Sequence, residues 1–156
     1  MQMPRRESST GMGSGINAEA AKCLGLRVRI VPMRILVVDD EIAIIKCLER
    51  LLTDAGHEVC ARLLTSEEDA EGIVSVAALM QFDVVTLDLI MPAVTGDILA
   101  RQLREVSLST RIVIMGASLP VFPDLLCDLL AKGSVDDFLS LPFEKEELLE
   151  RIEGAA

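Results

Sequence analysis

Apolar residues along the chain fall into short runs that alternate with segments of helical spacing. The run 34–38 (RILVV) is apolar over most of its length, which is typical of a parallel strand buried on both faces. From Ile42 to Leu52, apolar residues recur at the spacing of one face of a helix, and Gly56 follows this segment. The same alternation predicts further strands at 57–62, 83–87, 111–115 and 137–140, and further helices at 66–80, 95–106, 123–132 and 144–153.

Residues at the predicted helix ends agree with these boundaries. Ser66 is expected to cap the helix that follows it, with Asp69 in the first turn, and Gly133 is expected to end the helix at 123–132. Five strand–helix repeats with short crossovers imply an α/β fold with a doubly wound five-stranded parallel sheet. In such a sheet, the functional crevice is expected beyond the carboxyl ends of the strands.

The first 32 residues differ from the rest of the chain. The stretch 8–15 (SSTGMGSG) consists of small residues, and only Ala18–Leu24 has the pattern of a short helix. We therefore expect a flexible N-terminal extension at 1–32 and a single domain at 33–156.

Charge and composition narrow the range of possible partners. The net charge is −10, and residues 33–156 carry almost all of the acidic groups. An acidic domain without Trp or Tyr is not expected to bind nucleic acid directly, because phosphates would be repelled and no large aromatic platform exists. No apolar run is long enough to span a membrane, and no secretory signal is visible, so we expect a cytoplasmic location.

Cysteine usage does not favour a zinc site. The four cysteines at 23, 47, 60 and 127 form no CxxC pair, and His57 is the single histidine. We expect reduced, partly buried thiols.

Acidic residues follow two strands that are normally neighbours in this topology. Asp39 and Asp40 come directly after the first strand, and Asp88 comes after the third. If the three carboxylates share one crevice, they repel one another unless a cation neutralises them. Hard oxygen ligands of this kind suit Mg²⁺. Alternatively, acidic residues after a strand simply cap the next helix or face solvent.

Three runs in the domain carry a family resemblance: 35–41 (ILVVDDE), 83–104 (DVVTLDLIMPAVTGDILARQLR) and 136–143 (DDFLSLPF). Over residues 33–153 the chain resembles the receiver domains of two-component response regulators. The resemblance implies a flavodoxin-like (βα)5 fold. It also implies that Asp88 accepts a phosphoryl group from a sensor histidine kinase or a phosphotransfer protein. Asp40, Asp88 and the carbonyl of Ile90 would then be Mg²⁺ ligands, with Asp39 reaching the ion through water.

The sequence departs from the family at the switch region. Gly116 stands where the family has Thr or Ser, and Leu141 stands where it has Lys before a proline. Ser118 could replace the missing hydroxyl if its loop shifts. The aromatic residue that accompanies the switch is Phe138, which lacks a hydroxyl, and Leu141–Pro142 resembles the family's cis peptide.

The predicted fourth helix carries more apolar residues than one buried face needs. Because the family uses this region for partner or dimer contacts, we expect Phe122, Leu126 and Leu130 to form a protein–protein surface. The alternative is deeper burial of these residues under the loop that contains Pro120 and Pro123.

Three functions are compatible with these features. The first is a single-domain response regulator that is not an enzyme and signals by binding a downstream protein, since the chain ends soon after the last predicted helix. The second is a pseudo-receiver that acts as an interaction module without phosphorylation, as the departures at Gly116 and Leu141 suggest. The third is a Mg²⁺-dependent phosphohydrolase of the haloacid-dehalogenase kind, in which a second Asp would stand at the position of Ile90.

Overall fold

A computed structural model describes residues 20, 23–25 and 31–154 of the chain. The chain divides into two compact units, residues 1–30 and residues 31–156. In the first unit, the Leu24 N–H donates to the Ala20 carbonyl at 3.0 Å, as in a helical turn. Most of the extension expected at 1–32, including most of the helix predicted at 18–24, lies outside the described residues.

Strands and helices alternate through the second unit as the apolar pattern predicts. In chain order they are β1 (Arg34–Asp39), α1 (Ile42–Asp54), β2 (Glu58–Leu63), α2 (Glu67–Met80), β3 (Val84–Asp88), α3 (Gly96–Val106), β4 (Arg111–Gly116), α4 (Pro123–Ala131), β5 (Asp137–Ser140) and α5 (Lys145–Glu153). Every predicted element is present, with bounds that differ by at most two residues. Within residues 31–154, the one element that the sequence pattern missed is a short 3-10 helix, Leu119–Val121, which precedes α4.

All five strands are parallel, in the order β2-β1-β3-β4-β5. This confirms the doubly wound fold. Alternate side chains of β1 enter two separate cores, which explains why the strand is apolar from Ile35 to Val38. Leu36 and Val38 pack with residues of α2, α3 and α4, whereas Ile35 and Val37 pack with residues of α1 and α5.

The predicted helix ends are also found. The Asp69 N–H donates to Ser66 Oγ, and the Ser66 N–H donates to the Asp69 carboxylate, each at 3.1 Å. This reciprocal pair satisfies backbone donors at the start of α2. Gly133 has a φ of 70° two residues after α4, a conformation that glycine adopts without steric cost.

The expectation of partly buried thiols is wrong for most of the cysteines. Cys60 is half-buried in β2, but Cys23, Cys47 and Cys127 are exposed, and all four are free. Cys47 and Cys127 lie on helix faces that point away from the two cores. Within the described ranges, no helix combines the length and the apolar character that a membrane crossing needs.

Candidate functional site

The carboxyl ends of β1 and β3 lie side by side in the sheet. Val38 of β1 is paired with Leu87 of β3, so both strands end at the same edge. One carboxylate oxygen each from Asp39, Asp40 and Asp88 lies within 4.8 Å of the others. The structure thus brings together the three acidic residues that the sequence placed in one crevice.

Asp39 is the most buried of the three, with 5% of its surface exposed. Burial disfavours its charged form, and repulsion from Asp88 and Asp40 adds to this effect. Together these causes raise the pKa of Asp39 to about 7, although its Oδ1 accepts a hydrogen bond from the Glu41 N–H at 2.8 Å. None of the ion pairs found among the described residues involves Asp39, Asp40 or Asp88.

Asp88 is half-buried at the end of β3. Burial raises the pKa of its carboxyl group above the usual value, and repulsion from Asp40 and Glu41 acts in the same direction. The Ile90 N–H opposes this rise by donating to Asp88 Oδ1 at 3.3 Å. The carboxylate is therefore oriented by the backbone while part of it remains accessible.

The loop after Asp88 folds back on itself at Gly96. The Gly96 N–H donates to the Leu89 carbonyl at 2.8 Å, and the Leu89 N–H donates to the Met115 carbonyl at 3.0 Å. A Cβ atom at residue 96 would lie 2.3 Å from the Asp88 carbonyl oxygen. Glycine is required here because the backbones approach too closely for any side chain.

Asp88 opens into a cavity of about 250 Å³ beside the acidic cluster. Its lining residues are Asp40, Glu41, Asp88, Leu89, Ile90, Gly116, Ala117, Ser118 and Leu141. Three of these nine are acidic and none is basic. The cavity therefore suits a cation together with a ligand that the cation neutralises, rather than a free anion.

Three of the four predicted switch residues line this cavity. A Cβ atom at Gly116 would lie 3.4 Å from Asp88 Oδ1, so residue 116 directly adjoins the carboxylate. The Leu141 N–H donates to the Gly116 carbonyl at 3.1 Å, and the Leu141–Pro142 peptide is cis, as the resemblance implied. Phe138 is not among the described lining residues; it lies on β5 and packs against the core formed with α2, α3 and α4.

The residues of the expected partner surface divide into two kinds. Phe122 and Leu126 are half-buried against that same core, which fits the burial alternative in part. Leu130, on α4, is 46% exposed. Val121, at the end of the 3-10 helix before α4, is 71% exposed. The exposed part of this surface is therefore narrower than the sequence suggested.

Sequence reasoning assigned no role to three residues that line the cavity: Glu41, Leu89 and Ala117. Leu89 is apolar and carries no functional group. Glu41 follows Asp40 directly, so its position just after a strand could have identified it as a cavity residue. Ala117 lies between two switch residues but has no functional group, and nothing in its side chain could have identified it.

Comparison with known proteins finds similar sequences and similar structures over most of this chain. A sequence profile described as "Response regulator receiver domain" matches residues 35–153. The cell cycle transcriptional regulator CtrA of Caulobacter vibrioides is 31% identical over 120 residues, which cover 77% of this chain and 48% of CtrA. The transcriptional regulatory protein TcrA of Mycobacterium tuberculosis is 33% identical over 126 residues, which cover 80% of this chain and 46% of TcrA.

Among solved structures, the chemotaxis protein CheY4 of Vibrio cholerae is similar, with a TM-score of 0.67 and 27% identity. The match covers 79% of this chain and 98% of CheY4. The chain spans about half the length of the curated relatives that it matches.

Proposed function

The chain belongs to the family of response regulator receiver domains, and on this premise we propose that Asp88 is its phosphoacceptor. Receiver domains are signalling modules of two-component systems, and accepting a phosphoryl group is their general role. The donor would be a phosphohistidine of a sensor histidine kinase or of a phosphotransfer protein in the cytoplasm.

The observation that carries this proposal is the position of Asp88 in the cavity beside Asp39 and Asp40. Its carboxylate is half-buried and is oriented by the Ile90 N–H, so one oxygen can attack a phosphorus atom that enters the cavity. The new O–P bond forms as the N–P bond of phosphohistidine breaks, and the imidazole nitrogen keeps the electron pair. Positioning of the nucleophile is the main contribution of a protein to such a transfer.

The donor set fits Mg²⁺. One oxygen from each of the three carboxylates lies within 4.8 Å of the others. Burial, with repulsion from neighbouring carboxylates added to it, raises the pKa of Asp39 and of Asp88, as expected of a site that needs a cation. Asp40 and Asp88 would bind the ion directly with the Ile90 carbonyl, and Asp39 would contact it through water. When bound, Mg²⁺ supplies positive charge that offsets the carboxylates and the phosphoryl oxygens.

A pseudo-receiver is the second candidate, and a specific observation favours it. No basic residue is found among the nine described residues that line the cavity, because Leu141 replaces the family's lysine. Because Gly116 stands where the family has Thr or Ser, the chain also lacks the hydroxyl that would contact the phosphoryl group there. The phosphohydrolase alternative gains no such support, since apolar Ile90 stands where those enzymes carry a second Asp.

We propose that output passes through contact with a downstream protein. The exposed residues Val121 and Leu130 supply an apolar contact area next to the half-buried Phe122 and Leu126. The transcriptional relatives are about twice as long as the matched region, so their activity as whole proteins is not carried over to this chain.

Intact-mass measurement after incubation with phosphoramidate and Mg²⁺ tests the phosphoacceptor proposal. We expect the wild-type protein to gain the mass of one phosphoryl group, and Asp88→Asn to gain none. Asp54→Asn is the matched control, because it removes an exposed carboxylate of α1 that lies outside the site. Wild-type protein that stays unlabelled both with this donor and with a panel of histidine kinases would favour the pseudo-receiver.

A further inference from the structure

We propose that the cleft between α2 and α3 binds a basic segment of a partner protein, with an arginine side chain paired to Glu67 and Glu71. This cleft, the α2–α3 groove, shares no lining residue with the cavity beside Asp88. It includes neither Val121 nor Leu130. The α2–α3 groove is therefore a second surface, separate from the phosphoacceptor site and from the proposed output contact.

The α2–α3 groove is a cavity of about 380 Å³ near the N-terminal ends of the two helices. It is larger than the cavity of about 250 Å³ beside Asp88, and its volume lies within the range of ligand-binding sites. A cavity of this size can admit a whole side chain of a bound segment. Nine described residues line it: Glu67, Ala70 and Glu71 of α2, residues 92–95 of the loop before α3, and Ile98 and Gln102 of α3.

Glu67 and Glu71 are exposed carboxylates one helical turn apart on α2. None of the ion pairs or side-chain hydrogen bonds found in the described part of the chain uses either carboxylate. Asp69, by contrast, accepts hydrogen bonds from Ser66 and Thr65. The helix dipole favours Glu67 in the first turn, but Glu71 lies beyond that turn. Because like charges at this spacing repel, a bound cation would stabilise the pair.

Within the described residues, no basic side chain lines the α2–α3 groove. The helix α2 itself holds four acidic residues and no basic one. Arg101 of α3 is already paired, with Asp97 at 3.2 Å and with Asp128 at 3.9 Å. The groove therefore presents negative charge, which is complementary to a basic ligand.

The other lining side chains favour arginine as the basic residue. Ile98 is 46% exposed, and Ala93 and Val94 are half-buried against the core, so part of the lining is apolar. Arginine can lay its aliphatic stem on such a surface while its guanidinium group donates to two carboxylates at once. Thr95 makes no side-chain capping bond and Gln102 is exposed, so their polar groups can pair with the backbone of the bound segment.

The charge of the chain argues against a second copy as the occupant of the α2–α3 groove. The net charge is −10, and residues 33–156 carry almost all of the acidic groups, so two copies repel each other. A ligand that carries phosphate would be repelled in the same way. The occupant is therefore a partner protein whose contacting segment has arginine next to an apolar residue.

A peptide titration followed by ¹H–¹⁵N NMR of the full chain tests this inference. The probe is acetyl-Leu-Arg-Leu-amide, and acetyl-Leu-Gln-Leu-amide is the uncharged control. Mg²⁺ is present and no phosphoryl donor is added, so the result does not depend on Asp88 being the acceptor. We expect saturable shifts with the arginine peptide alone, confined to the first turns of α2 and α3 and to residues 92–95. Added salt should weaken the binding.

Variants of the lining residues test which groups hold the peptide. Glu67→Gln/Glu71→Gln should bind the arginine peptide about fivefold more weakly than wild type. Glu146→Gln/Glu150→Gln is the matched control, because it removes two exposed carboxylates at the same spacing on α5, and it should bind as wild type does. Ile98→Ala should also weaken binding, since it removes part of the apolar lining. Chemical denaturation checks that each variant is folded.

Four results would overturn the inference. The first is equal affinity for the two peptides, and the second is an equal loss in the two double variants, because general attraction to an acidic protein would then explain the binding. The third is a set of shifts centred on Asp40 and Asp88, which would place the peptide in the other cavity. The fourth is the absence of binding, or the same shifts on concentrating the protein without peptide, which would assign the α2–α3 groove to a second copy.

Discussion

Gly96 lies so close to Asp88 that a Cβ atom at residue 96 would be 2.3 Å from the Asp88 carbonyl oxygen and 2.9 Å from the Leu89 Cα atom. Both contacts are with backbone, so no side-chain rotation relieves them. Gly96→Ala should therefore displace the loop that follows β3, and should lower the free energy of unfolding by roughly 1–3 kcal/mol. Chemical denaturation measures this loss.

Gly72→Ala is the control for this prediction, because a Cβ atom at that position of α2 meets nothing within 4 Å. It should leave stability unchanged or raise it slightly, since alanine favours helix. Equal effects of the two substitutions would mean that the close approach at Gly96 does not occur.

The free energy of unfolding should decrease as the pH rises from about 4 to about 7. The folded state holds a proton on Asp39 with a pKa of about 7, against 3.8 for an ordinary Asp, and the pKa of Asp88 is raised as well. Between about pH 4 and 7 the folded state thus binds more protons than the unfolded state, and the free energy of unfolding decreases. Asp39→Asn should therefore be more stable than wild type at pH 8, by about 1–3 kcal/mol.

The same variant should lose its advantage at pH 4, where wild-type Asp39 is protonated when folded. Mg²⁺ should reduce the difference at pH 8, because the ion binds only the folded cluster. An Asp39→Asn advantage that is independent of both pH and Mg²⁺ would contradict the acidic-cluster account.

Leu141→Lys should return a cation to the cavity. Leu141 lines the cavity and packs against the core formed with α1 and α5, where the methylene groups of lysine can follow the same path. The ammonium group should lower the pKa of Asp88 and attract phosphoryl oxygens, which we expect to raise the rate of labelling by phosphoramidate about tenfold. Leu141→Met keeps an apolar side chain of similar size; if it accelerates labelling as much, charge is not the cause.

Substitutions in and just before α4 should distinguish residues that are free to contact a partner from residues that pack in the core. Phe122 packs against the core, so Phe122→Asp should cost roughly 1–3 kcal/mol of stability, whereas Leu130→Asp on the exposed face should cost under about 0.5 kcal/mol. Denaturation curves of the two variants give the comparison. A large loss for Leu130→Asp would support the burial alternative and remove Leu130 from the proposed partner surface.

The strands and the acidic cluster were predictable because both follow from local pattern. Parallel strands buried on two faces read as apolar runs, and Asp39, Asp40 and Asp88 follow such runs directly. The exposure of the α4 residues was not predictable, since Phe122 and Leu130 are both large and apolar. Phe122 directly precedes α4 and packs against the core, whereas Leu130 lies near the C-terminal end of α4 and is exposed.

Locating the phosphoryl group within the labelled protein shows directly whether Asp88 is the acceptor. Borohydride reduction converts an aspartyl phosphate to homoserine, and peptide mass spectrometry then identifies the residue. We expect homoserine at position 88 alone, formed only when Mg²⁺ was present during labelling. Homoserine at position 39 or 40, or labelling of equal extent without Mg²⁺, would contradict the assignment of Asp88 as the acceptor in a cation-dependent site.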